Sequence, residues 1–340
     1  MKNNFDFIKN RKYFLAGYAV FIAIAIVFLC IFSVDMSIDF KGGTRFSYSY
    51  TGNNINLSEA KTVVEGAVKD IKATVTQNAG YGTDSKTLVV TLLSGNSLST
   101  EQQAAITKAL TEKYKDCNIE LSNSNSVSPT VAGTFFLKCL VAVIIASALV
   151  VLYVGIRFRK IGGVSASFYA LLALVLDCIT AFAACVIFRL ELDSNFMSVI
   201  LMLLGYSLND TIVIYDRIRE NNKLYPAMDL YECINKSVNQ TVGRNIKTTL
   251  STLLAIVAIV IVSEFFGLSS LRSFAIPMAI GIISGAISSI CLSSPYWYSY
   301  RKYALAKKLP KMPLWAGVAK KSKQNNFCFK RPPAVLLAAA

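Results

Sequence analysis

Six stretches of the chain are long enough, and free enough of charge, to cross a membrane as helices, and no other feature restricts its fold as much. Spanning a hydrocarbon layer of about 30 Å takes about 20 mostly apolar residues in a helix, because lipid offers no partner to unpaired backbone groups. The stretches 13–34 and 273–300 carry no charge, 133–156 carries only Lys138 near its start, 161–188 only Asp177, and 194–215 only Asp210. The remaining charge-free run, between Lys247 and Glu264, has 16 residues. Its helix must therefore draw on polar flanks such as Asn245 and Lys247, which predicts a span over 244–266 with Arg244 at or just inside the boundary. Composition agrees: 54% of the 340 residues are hydrophobic and 16% charged, against about 25% charged in soluble domains. The chain is predicted to be a polytopic helical membrane protein.

The same composition excludes several classes of chemistry. There is no His, and the eight Cys are scattered, so ligand clusters for zinc or haem and a Cys-His nucleophile are absent. No phosphate-binding loop or dinucleotide fingerprint occurs, which removes an ATP-driven pump and a soluble dehydrogenase. No metal or cofactor is expected. The first span reads as an uncleaved signal anchor, since its apolar run is long and no small-residue cleavage site follows. Cys30 follows Leu29 where a lipid-modification site would have a small residue, and is expected to be a buried structural cysteine.

Lys and Arg counts set the orientation. With 1–12 inside the cell, the inner segments, among them the 216–243 loop, hold 23 basic and 5 acidic residues, and the outer ones 11 basic and 13 acidic. The net charge of +15 is then a topology signal, and no nucleic acid is needed to explain it. The segment 301–340 has ten basic and no acidic residues. An aromatic girdle of Tyr296, Trp297, Tyr298, Tyr300 and Tyr303 lies at its start, and the segment is expected to lie on anionic lipid, with protein docking as the alternative.

Between the first two spans, 35–132 is polar and long enough for a small domain outside the membrane. Periodicity predicts a strand over 44–50 and a helix from Ser58 with Val63, Val64, Ala67, Val68 and Ile71 on one face. Strands over 73–77 and 86–93 flank a turn at 80–84. A second helix opens with Thr100 and Gln103 at capping-box spacing and presents Ile106, Ala109, Leu110 and Tyr114. A last strand is predicted over 117–122. The order βαββαβ is that of a ferredoxin-like α+β domain.

Three motifs carry a family resemblance: Ser37-Ile-Asp-Phe-Lys-Gly-Gly-Thr44, Gly205-Tyr-Ser-Leu-Asn-Asp-Thr-Ile-Val-Ile-Tyr-Asp-Arg-Ile-Arg-Glu-Asn221 and Ser237-Val-Asn-Gln-Thr-Val-Gly-Arg244. Together they resemble the SecF family, subunits of the SecDF accessory complex of bacterial Sec protein export, over 5–300. The resemblance implies half of a twelve-helix core of the resistance-nodulation-division type in the cytoplasmic membrane, with both termini cytoplasmic. SecD would supply the other half, and YajC, YidC and the SecYEG translocon would be associates. It implies a non-enzymatic accessory driven by protons, or sodium in some relatives, that assists a secretory polypeptide. Asp210 and Arg244 coincide with the family's functional pair, and Asp177 with another acidic position, so the resemblance implies that all three serve ion coupling. There the chain departs from the pattern, with Leu176 where the family usually has His.

The residues point to ion coupling by themselves as well. An Asp near the bilayer centre costs about 2.5 to 3.5 kcal/mol on insertion scales, so it persists protonated, paired or in a wet cavity. Asp210 and Arg244 lie toward the same side on successive spans. A carboxylate that gains an Arg when ionised and loses it when protonated is a two-state switch; a fixed structural pair, or an Arg snorkelling to the interface, is the plain alternative. Asn209 and Gly205 are expected to support Asp210 and to allow close helix approach, with Gln240 and Thr241 as further supporting polar groups. Gly281 and Gly285 predict tight packing, and Pro277 a kink. Gly42 and Gly43, beside Asp39, predict a backbone turn where membrane and domain meet. Asp216, Arg217, Arg219 and Glu220 read either as a solvated helix end or as a cytoplasmic coupling site. A half-exporter of small apolar molecules or lipid, and a passive scaffold, are the rival functions.

Overall fold

The computed structural model describes residues 5–32, 34, 36–51, 55–68, 73–79, 85–92 and 100–308. The expected turn at 80–84, Ile71, the capping side chain of Thr100 and the basic segment beyond 308 lie outside the described residues. Among the described residues, six helical segments are long and apolar enough to cross a membrane. They comprise α1 (Phe7–Phe32), α5 (Pro129–Arg157), α6 (Gly163–Ile187), α7 (Ser194–Leu224), α8 (Leu230–Phe265) and a last segment that opens with α9 (Ser269–Ser288).

Their starts follow from local chemistry. Ser128 caps α5 by accepting from the Val131 amide, with Pro129 at the first turn, where a missing N–H costs nothing. Asp193 caps α7 through Phe196 N, and Asp229 caps α8 through Tyr231 N. The stretch 216–243, expected as a loop, is therefore mostly helix: α7 runs on to Leu224 and α8 begins at Leu230, about four turns before the predicted span. Buried Leu230, Cys233, Ile234, Ser237, Val238 and Thr241 recur at helical spacing there. The last span also differs from the single helix expected. α9 passes through Pro277, and a π-helical turn (Ser289–Ser293) separates it from α10 (Ser294–Lys308).

The helices α6 and α9 form the centre of the bundle. Alanines 166, 170, 173, 181 and 184 line the buried face of α6, and small side chains let helices approach closely where lipid supplies no hydrophobic drive between them. By contrast α1, α5 and α8 expose Ile26, Leu137, Ile144, Leu254 and Ile261. Cys30 is exposed as well, contrary to its expected burial, because it lies on the outward face of α1. At Gly281 an added Cβ would stand 2.5 Å from Leu203 Cδ1 on α7. Gly281→Val should therefore lower the thermal midpoint by overpacking worth about 1 to 3 kcal/mol. Adding Leu203→Ala should recover part of that loss, as thermal unfolding in detergent would show.

The polar insertion is an α+β domain. It contains a short helix α2 (Ile38–Lys41), β1 (Gly43–Thr51), α3 (Leu57–Ala67), β2 (Ala73–Ala79), β3 (Ser85–Leu92), α4 (Thr100–Lys113) and β4 (Glu120–Val127). The sheet order is β2-β3-β1-β4, with every neighbouring pair antiparallel. Alternation along β1 buries Phe46, Tyr48 and Tyr50. They pack with Leu88, Val90 and Leu92 of β3, Val64 of α3, and Ile106 and Leu110 of α4. The last strand starts later than predicted: Cys117 ends a 3-10 turn, and Asn118 at φ 42° turns the chain before Glu120. Its polar sequence gave a weak signal because β4 is an edge strand, exposed along nearly its whole length.

Candidate functional site

Asp177 on α6 and Asp210 on α7 are both buried within the bundle, at 0% and 1% exposure. Their surroundings differ. Three serine hydroxyls donate to Asp177: Ser207 of α7 to Oδ2 at 2.6 Å, Ser284 of α9 to Oδ1 at 2.7 Å, and Ser288 to Oδ2 at 3.0 Å. Ser284 and Ser288 stand one turn apart and so share a face of α9. Gly285 between them lets α9 close on α7, since a Cβ there would lie 3.1 Å from Ser207 Cβ and 3.5 Å from Asp177 Oδ2. From α1, the Tyr18 hydroxyl donates to the Ser284 carbonyl at 2.8 Å and lies 3.0 Å from Ser284 Oγ. Farther from the α+β domain, Ser289 pairs with Thr211 at 3.0 Å and Ser293 with Tyr215 at 2.8 Å.

Asp210 is left open. Asn245 of α8 donates to its backbone carbonyl at 3.4 Å. Asp210 Oδ2, Asn245 Oδ1 and Thr249 Oγ1 are each buried without a hydrogen-bond partner among the described residues. Asn245 and Thr249 are one turn apart, so α8 offers both on one face. A buried carboxylate oxygen with no partner is costly in the ionised state. A proton, a cation or a counter-charge would each relieve that cost.

Several sequence candidates are not gathered at Asp210. Arg244 is exposed and makes no ion pair with it; one residue is about 100° of helix, and Asn245 takes the inward position. Asn209 is likewise exposed beside its buried neighbour, and Gly205, one turn earlier, has open space around it in place of a close helix contact. Thr241 bonds back to the Ser237 and Val238 carbonyls of its own helix. Gln240 belongs to the far end of the bundle, accepting from Arg217 at 2.7 Å and Asn221 at 2.8 Å. There Asp216 pairs with Arg157 of α5 at 3.3 Å and Arg219 at 2.8 Å, and Arg217 with Glu220 at 2.6 Å. The cluster is a clamp across α5, α7 and α8. Among the described residues no group of three or more His, Cys, Asp or Glu could hold a metal.

At the opposite end, the domain is clasped to the turn between α6 and α7. Gly42 and Gly43 have φ of 79° and 139°, conformations that favour glycine, and an added Cβ would lie 2.7 Å from Pro129 or 2.3 Å from Leu92 O. Asp39 Oδ2 accepts from the Ser194 amide at 3.2 Å, Ser37 N donates to Leu192 O at 2.9 Å, and Arg45 of β1 forms an ion pair with Glu191. This clasp was not legible in the sequence, since Arg45 and Glu191 are 146 positions apart. Arg45→Glu should loosen the domain by about 1 kcal/mol, as expected for a partly exposed pair. Arg45→Glu with Glu191→Arg should restore it; limited proteolysis at the junction reads both.

The model of the family "Protein export membrane protein SecD/SecF, C-terminal" matches residues 106–303. The chain is 35% identical to the protein translocase subunit SecF of Alicyclobacillus acidocaldarius, covering 90% of this chain and 96% of that one. To SecF of Synechocystis it is 34% identical, over 81% of this chain and 85% of that one. It is 31% identical to the Bacillus subtilis subunit SecDF over 89% of this chain, a match that takes up 39% of that longer protein. The crystal structure of SecDF from Thermus thermophilus, a translocon-associated membrane protein, superposes with a TM-score of 0.75 at 28% identity, covering 88% of this chain and 39% of that one. With the matched model covering more than half of the sequence and SecF relatives aligned almost end to end, the chain belongs to the SecF family of protein translocase subunits.

Proposed function

We propose that this chain is a non-enzymatic accessory subunit of the Sec translocase that uses an ion gradient to promote export of secretory polypeptides, acting with SecD. The observation that carries ion coupling is Asp210: a buried carboxylate with an oxygen that has no hydrogen-bond partner among the described residues, at the contact of α7 with Asn245 of α8. Protons are the coupling ion in this reading, with sodium as the alternative. The gradient supplies about 2.3 kcal/mol per charge per 100 mV, enough to bias the occupancy of such a site.

The SecDF relatives support SecD as the partner, since this chain matches 39% of each of those longer proteins. The face of α7 and α8 that exposes Gly205, Asn209 and Arg244 would then meet the other half of a twelve-helix core, where Arg244 gains its role in the relay. YajC, YidC and SecYEG would be further associates, and the basic segment 301–340 would lie on anionic lipid. The basic-residue distribution supports a bacterial cytoplasmic membrane location with both termini inside and the α+β domain outside. For that domain, the antiparallel order β2-β3-β1-β4 with two crossing helices supports a ferredoxin-like fold.

The test is precursor translocation into inside-out vesicles with ATP present, comparing vesicles that hold this chain and SecD with vesicles lacking both. Protease-protected precursor should fall on adding an uncoupler to a greater degree when the pair is present. Equal uncoupler sensitivity in the two preparations would remove the proposal.

A further inference from the structure

Asp177 is the more enclosed of the two carboxylates, and the relay through Asp210 does not use it. Four helices converge on it: its own α6, α7 through Ser207, α9 through Ser284 and Ser288, and α1 through Tyr18 on Ser284. No cation lies within ion-pair distance of it among the described residues. The other ionisable groups facing the cluster are Tyr18 from α1, Cys178 from α6 and Cys291 from the π-helical turn.

The hydroxyls around Asp177 have alternatives. A serine has one proton to donate, and Ser288 Oγ lies 3.0 Å from Asp177 Oδ2 and 3.2 Å from Gly285 O. Tyr18 has two neighbouring acceptors on Ser284, the carbonyl at 2.8 Å and Oγ at 3.0 Å. An ionised Asp177 accepts from all three serines. A protonated Asp177 must itself donate to one of them, whose own hydroxyl then needs another acceptor, and Gly285 O supplies it. The cage therefore satisfies both protonation states, which a set of fixed donors would not do.

We propose that Asp177 is a second proton-holding site of this chain, caged by Ser207, Ser284 and Ser288, with Tyr18 passing its protonation state to α1. The proposal rests on the ion-driven reading above. The step is one of uptake and release: a proton adds to Asp177 Oδ1, the Ser284 O–H turns from Oδ1 to the Tyr18 oxygen while Tyr18 donates to the Ser284 carbonyl, and the new acid O–H donates to Ser284 Oγ. Protonation at Oδ2 is met in the same way by Ser288 turning to Gly285 O. Release reverses each move, so one proton enters and one leaves with no other bond broken. The link through Ser284 to Tyr18 matters because α1 precedes the α+β domain in the chain, so the site reaches the helix that enters that domain. It also stands without imidazole, which answers the Leu176 departure from the family pattern.

The test uses the chain reconstituted with SecD and reads pH-difference infrared spectra beside gradient-dependent export. A protonated-carboxyl carbonyl band should persist in Asp210→Asn and vanish when Asp177→Asn is added. Asp177→Asn alone should lose gradient-dependent export. Tyr18→Phe should keep the band and lose most of the gradient response, which a merely structural tyrosine would not do. Ser284→Ala, which leaves the carboxyl in place, should shift the band and guards against misfolding as the cause. Survival of the band in the double variant, or full gradient response in Asp177→Asn or Tyr18→Phe, overturns this proposal and leaves the function proposed above standing. Absence of any gradient response in wild type overturns that function instead.

Discussion

Asp210→Asn should abolish the whole ion-dependent part of precursor export while leaving the chain folded and at least as stable as wild type. The substitution is nearly isosteric, so packing at the interface of α7 and α8 changes little. What it removes is a titratable group at a place where carboxylate Oδ2 has no hydrogen-bond partner among the described residues. Burying an unpaired charge costs several kcal/mol, and a neutral amide escapes that cost, so the melting temperature should hold or rise. Loss of function without loss of stability separates an ion-coupling residue from a scaffold residue. In inside-out vesicles containing SecD, the variant should match uncoupled wild type and show no uncoupler response beyond vesicles lacking both subunits. A variant that exports and responds like wild type would place the passive-scaffold reading ahead.

The second large effect is on folding. Gly43→Ala should unfold or displace the α+β domain, because the new Cβ would sit 2.3 Å from a backbone oxygen, Leu92 O, that the β1–β3 pairing holds in place. The φ of 139° adds strain for any side chain. Backbone strain and overpacking together amount to about 2 to 6 kcal/mol, comparable to the whole stability of a small domain. Rapid cleavage of the domain by added protease, with the membrane helices intact, is the expected result. Gly66→Ala is the control: it lies in α3 with open space around it, and should stabilise slightly through helix propensity.

Local periodicity alone determined the six apolar spans, the strand and helix order of the inserted domain, the glycine turn at residues 42 and 43, and the presence of two acidic residues within spans. Each of these depends on hydropathy or backbone preference over a few turns, which neighbouring residues carry. Which side chains meet was decided only by tertiary structure. Arg244 and Asn245 are adjacent in sequence, yet about 100° of helix rotation points one outward and the other at Asp210. The serines of the Asp177 cage carry little signal singly, since an isolated Ser in an apolar helix commonly bonds to its own backbone. Only the close approach of α9 to α7 at Gly281 and Gly285 brings Ser207, Ser284 and Ser288 onto one carboxylate. Rotation and separation of helices are set by the shapes of whole packed faces, and no stretch of one helix records the face of another.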